Sequence, residues 1–202
     1  MAETINTATP DYIVDGTLTD GEAWVPLITN VLSADAATVT FQSTTGANDW
    51  SQYMDLVIFA YVRNGRADTG GAPAAMNFNN DTGANYTYQE LSGDASGSVT
   101  AQSSTTATYA PMGDVPKDSD TANVFAAIVV TLFDINSGKY KSSLVHNAQD
   151  RDGSGKAASF GGTWRNVAPI TEIDFRASLF GYDINADSRF DLFGVLPRMV
   201  TA

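Results

Sequence analysis

Cysteine is absent from the 202 residues. No disulfide framework or thiolate metal site can therefore form, which is compatible with assembly in a reducing cytoplasm. Charge is scarce as well. Asp, Glu, Lys and Arg make up 17% of the chain, against roughly 25% in an average domain. Basic residues are the scarcer kind: 11 Lys and Arg face 23 Asp and Glu, for a net charge of −12. A chain of that charge repels a phosphate backbone, so nucleic acid is not an expected partner. Long apolar runs are missing too. The longest predominantly apolar stretch, Val124–Leu132, falls far short of the roughly 20 residues that span a bilayer, and no membrane association is expected. Met1–Pro10 contains Glu3 and no basic residue, so it does not read as a secretory signal. No long amphipathic helical stretch, internal repeat or dividing linker is present.

What fills the chain is suited to strands. Hydrophobic residues reach 43% and aromatics 10%, enough for a packed core. Ser, Thr, Asn and Gly replace the Lys and Glu of helical surfaces. Val39 and Phe41 alternate with Thr38 and Thr40, the period of a half-buried strand. Leu56–Val62 is apolar at every position and predicts a central strand. Val124–Ile135 has helical length, but its Val, Ile, Thr and Phe content predicts a strand buried on both sides. Ile173, Phe175 and Ala177 alternate with Glu172, Asp174 and Arg176, and Phe190 and Leu192 with Arg189 and Asp191. Asn64-Gly65 predicts a tight turn. Residues 80–84 predict the turn of a hairpin joining Met76–Asn79 to Tyr86–Leu91. Gly93–Ser104 reads as a loop with one weak strand, and Gly153–Gly155 and Gly161-Gly162 as turns. Many short strands at regular spacing predict a β-sandwich or barrel. Residues 1–22 are polar and acidic and read as an N-terminal arm, 23–196 as the sandwich domain, and 197–202 as a C-terminal tail.

Chemistry-bearing patterns are few. His146 has no second histidine for a metal site and no Gly-x-Ser-x-Gly elbow to serve. Glu172 and Asp174 share a strand face about 7 Å apart, within the range of an inverting glycosidase pair, but Arg176 continues the stripe as a solvated face. Asp183-Ile184-Asn185-Ala186-Asp187, with Asp191 beyond, is reminiscent of a calcium loop. Its sixth position is Ser188 and its twelfth Gly194, where that loop needs glycine and glutamate. Asp150-Arg151-Asp152-Gly153 is a weaker case of the same kind. Tyr86 and Tyr88 share a strand face, as core packing or as a sugar platform. No catalytic, cofactor or metal residue is assigned, and the chain is expected not to be an enzyme. Tyr12, Ile13 and Val14, the one apolar cluster of the arm, are the expected partner contacts. Lys117, Lys139, Lys141 and Arg151 are the basic residues expected to face a neighbouring copy.

The order of the segments LITNVLSADAATVTFQS, YMDLVIFAYVRNGRA, MNFNNDTGANYTYQEL, GTWRNVAPITEIDF and SRFDLFGV resembles a group of bacteriophage virion structural proteins. These have a jelly-roll-like sandwich and occur as capsid decoration proteins or as terminal domains of tail and fibre proteins. The resemblance extends over roughly residues 27–195. It implies an all-β chain with a single jelly-roll-like β-sandwich behind a short arm. It also implies a decoration or cement protein that binds the major capsid protein on the virion, as a homotrimer and without cofactor. The alternative it implies is a receptor-binding or carbohydrate-binding module of a tail fibre or spike. That group has no catalytic residues to carry over.

Overall fold

The computed structural model describes residues 13–14, 17–18, 24–67, 72–177 and 181–196. Two short strands, β1 (Ile13–Val14) and β2 (Thr17–Leu18), pair with each other. Twelve further strands follow: β3 (Trp24–Val31), β4 (Val39–Gln42), β5 (Asp55–Val62), β6 (Pro73–Phe78), β7 (Tyr86–Asp94), β8 (Val99–Ala107), β9 (Ala110–Asp114), β10 (Ala126–Phe133), β11 (Lys141–Asp150), β12 (Gly155–Trp164), β13 (Glu172–Arg176) and β14 (Arg189–Val195). The described residues contain no α-helix, only two single 3-10 turns at Gly46–Asn48 and Trp50–Gln52.

The strands form an eight-stranded sheet, β3-β14-β5-β10-β11-β12-β7-β8, and a four-stranded sheet, β4-β13-β6-β9. Four antiparallel ladders, β3 with β14, β4 with β13, β5 with β10 and β6 with β9, are those of one long hairpin wound upon itself. That is a jelly roll. Two added hairpins, β7–β8 and β11–β12, continue the larger sheet beyond β10. The larger sheet therefore overhangs the smaller one.

The core lies between the sheets. Leu56, Ile58, Ala60 and Val62 of β5 face Ala126, Ile128, Val130 and Leu132 of β10 in register, and all are buried. Phe175 of β13 packs against Phe41 of β4 at 5.2 Å and Phe190 of β14 at 4.8 Å, so one ring ties the two sheets together. Burying each such side chain contributes about 1.5–3 kcal/mol. Two buried cations work as backbone clamps. Arg63 donates to the carbonyls of Thr121, Val124, Lys117 and Asp120. Lys141 donates from Nζ to the carbonyls of Ser137, Lys139 and Val167.

Several local expectations are corrected. Asn64-Gly65 is not a hairpin turn. Asn64 is fully buried, bridges to Ile184 and Lys117, and donates its side chain to the Ala177 carbonyl. The segments 76–79 and 86–91 do not pair, because β6 and β7 belong to different sheets. The hairpin lies one step later, where β8 is the strand within what read as a loop with one weak strand, and runs on to Ala107. Its Ser and Thr suit an exposed edge strand. Gly161-Gly162 lies inside β12, where a Cβ at Gly162 would come 2.5 Å from Ser143 Oγ of the neighbouring β11. Val124–Ile135 does hold a strand, β10, but only one of its faces is fully buried.

Candidate functional site

Among the described residues, no second sheet packs on the outer face of the eight-stranded sheet. On β11 the normal order is inverted: Lys141, Ser143, Asn147 and Gln149 point inward with Val145, while Leu144, His146 and Ala148 point out. Ala127 and Val129 of β10 lie beside them in register. Further along, Trp24, Phe59 and Phe193 form an aromatic cluster with centroids 5.6–6.3 Å apart. Tyr61 stacks on Phe125 at 4.8 Å. At the opposite end Leu91 and Val99 are 60% and 75% exposed. Charge is sparse among the outward positions of these strands. Arg189 and Asp191 neutralise each other at 2.7 Å. Asp55 is buried and accepts the Asp134 N–H. Asp150 stands at a strand end.

The overhang leaves a second feature on the inner side. Past β9, inward residues of β7, β8, β11 and β12 line a polar cleft of about 350 Å³. Its walls carry Ser92, Thr100, Gln102, Gln149 and Asp114, with Lys117, Arg151 and Lys156. Lys156 lies between two sheets, 3.0 Å from Glu90 of β7 and 3.1 Å from Asp114 of β9. Burial opposes its charge, but Asp114 and Glu90 outweigh that and hold the ammonium above its ordinary pKa. Arg151 pairs with Asp120 at 3.2 Å. An adjoining recess of about 80 Å³ shares Glu90, Asp114 and Lys156 and is walled by Tyr88, Tyr109, Pro73 and Pro111. Burial, and then Tyr88 nearby, raises the pKa of the Tyr109 phenol.

The expected residues are placed as follows. Ile13 and Val14 form β1, but their side chains and Tyr12 lie outside the described residues. His146 is exposed on the outer face between Val129 and Ser159. Glu172 accepts from Gln42 and Asn80. Asp174 is buried rather than solvated and accepts the Thr40 hydroxyl at 2.6 Å. No cavity described above brings that pair together. Asp183–Asp187 does not gather around a centre with Asp191: Asn185 donates to Asp118, while Asp191 accepts from Thr29 and Arg189. Among the described residues no group of three or more His, Asp or Glu could hold a metal ion. Tyr86 is core, 1% exposed, with burial raising its pKa to about 12, whereas Tyr88 reaches the recess. Lys117 and Lys141 are buried and Arg151 is paired with Asp120, so of the four basic residues expected to face a neighbour Lys139 is the most exposed, although it lies 3.7 Å from Asp134.

Neither the outer face nor the cleft was identified in the sequence. The signal was present in β11, where polar and apolar residues alternate cleanly. Alternation alone does not say which set points inward.

No family model, no curated protein and no solved structure matches the chain. The resemblance to virion proteins therefore rests on the sequence segments alone.

Proposed function

We propose that this chain is a non-enzymatic structural protein of a bacteriophage virion, a decoration protein that seats on the major capsid protein as a homotrimer. The observation that supports the reading best is the outer face of the eight-stranded sheet, on which no second sheet packs among the described residues. A chain of net charge −12 that associates with a shell and with its own copies needs a surface from which that charge is excluded. The outer face is such a surface. Its eight strands cover on the order of 1,000 Å², more than the roughly 800 Å² that each partner buries in a stable interface.

The test is co-sedimentation with capsid shells assembled without the protein. Wild type should pellet with the shells in hundreds of copies per particle. Leu91→Asp and Leu144→Asp, both at exposed positions, should keep their melting temperature and stay in the supernatant. Binding by both variants at the wild-type level overturns the reading. A handful of copies per virion, located on the tail, favours instead a receptor-binding module of a fibre or spike, the reading for which the polar cleft speaks.

A further inference from the structure

We infer that the polar cleft under the overhang of the larger sheet is a binding site for a small neutral saccharide. The inference stands whichever part of a virion the protein occupies, because it uses the inner side of the sheet and not the outer face.

The cleft lies where the inward side chains of β7, β8, β11 and β12 run past the end of β9, whose last residue, Asp114, still reaches Lys156. A sandwich normally fills inward positions with apolar residues. Here they are Ser92, Thr100, Gln102, Gln149, Glu90 and Lys156, which make a poor core and a good set of hydrogen-bonding groups. Gln149 gives the clearest sign of a missing ligand. It is 9% exposed, it lines the cleft, and its Oε1 has no hydrogen-bond partner. A buried amide oxygen left unsatisfied is costly, and a ligand hydroxyl would remove that cost.

The charges define the ligand class. Lys156 is engaged by Glu90 and Asp114, Arg151 by Asp120, and the buried Lys117 is not free either. Asp94 caps its own turn, accepting from the Ser96 hydroxyl and N–H. The cleft therefore offers an anion little that is uncompensated, and no acidic cluster for a cation is present among the described residues. What remains is hydroxyls, amides and ion-paired carboxylates whose remaining lone pairs accept hydrogen bonds. Such groups match a polyol. The recess beside it adds the rings of Tyr88 and Tyr109 and two prolines, an apolar wall against which the C–H face of a pyranose packs. A volume of about 350 Å³ lies within the roughly 300–1,000 Å³ of small-molecule sites.

The experiment is an NMR titration of the full-length protein at neutral pH with maltose, cellobiose, lactose and N,N′-diacetylchitobiose, each to about 50 mM, and with glucose 6-phosphate as the anionic counterpart. The expected result is saturable amide shifts for at least one neutral disaccharide, centred on Ser92, Thr100, Gln102, Gln149 and Lys156. Gln102→Ala, at an exposed position, should keep the melting temperature and weaken binding by about tenfold. Gln149→Met should do the same. The inference is overturned if none of the four sugars shifts those amides, if the shifts fall on the outer face, if glucose 6-phosphate binds more tightly, or if Gln102→Ala binds as wild type does.

Discussion

The indole N–H of Trp164 donates to a carboxylate oxygen of Asp81 at 2.7 Å. The pair joins the end of β12 to the connection between β6 and β7. The same carboxylate accepts from Gly83 N–H and Asn85. Burial works against the charge, but these donors, Trp164 first, outweigh it and hold Asp81 below the usual carboxylate range. A depressed folded-state pKa stabilises above the unfolded value of about 3.9, and that stability is lost as pH falls through the folded pKa. Trp164→Phe should lower stability by about 2–4 kcal/mol at pH 7. The gap from wild type, measured by urea unfolding, should narrow below about pH 4. A gap that does not depend on pH would assign the whole effect to lost packing.

Arg63 is 7% exposed and binds four backbone carbonyls between residues 117 and 124. Arg63→Met removes the donor those carbonyls share, leaving Lys117 with only the Asp120 N–H, and should cost about 3–5 kcal/mol. Arg63→Lys should recover only part of this, because one ammonium cannot reproduce the planar fork. Chemical denaturation of both variants checks the order; equal stability of the lysine variant and wild type would refute the clamp.

Gly194 lies under the ring of Tyr53, where a Cβ would come within 2.5 Å of ring carbons. The ring is fixed by its hydroxyl, which donates to the Ala47 carbonyl at 2.7 Å. Gly194→Ala should therefore destabilise by about 1–3 kcal/mol through overpacking. Tyr53→Leu in the same chain should reduce the penalty. A thermal melt of the double variant that shows simple additivity would count against the contact.

Attachment through the outer face should depend weakly on salt. The face offers one internally neutralised ion pair, Arg189 with Asp191, and exposed pairs contribute about 0–1 kcal/mol each. Washing decorated particles in about 0.5 M salt, where the screening length is only a few ångströms, should leave the protein bound. Its release under those conditions would identify electrostatics as the main attachment.

Much of the fold was legible because period two is a strong signal. Val39 and Phe41, Ile173 and Phe175, and Phe190 and Leu192 are all buried on the strands they predicted. The pairing of strands was less legible, since it is decided by partners far apart in sequence. The expected 76–91 hairpin failed because the strands that follow β6 add to the other sheet. Gly161-Gly162 misled because glycine stands inside strands as well as in turns. The two candidate sites were hidden for related reasons. The cleft arises from the overhang of the larger sheet, which no local pattern encodes, and the outer face from an alternation that does not say which set points inward.

The position of β14 bears on how the chain reaches this structure. β3 and β5 form early in the chain, yet they share no ladder; β14, the last strand, is inserted between them. Among the described strands only β1–β2, β7–β8, β10–β11 and β11–β12 pair with a neighbour in sequence, and such hairpins close in about 1–10 μs. The one ladder that holds β3 in the sheet must wait for residues 189–195. Folding should therefore be slow and dominated by distant contacts. During synthesis no protease-resistant body should appear until β14 has left the ribosome, which chains halted before Ser188 and then digested would reveal.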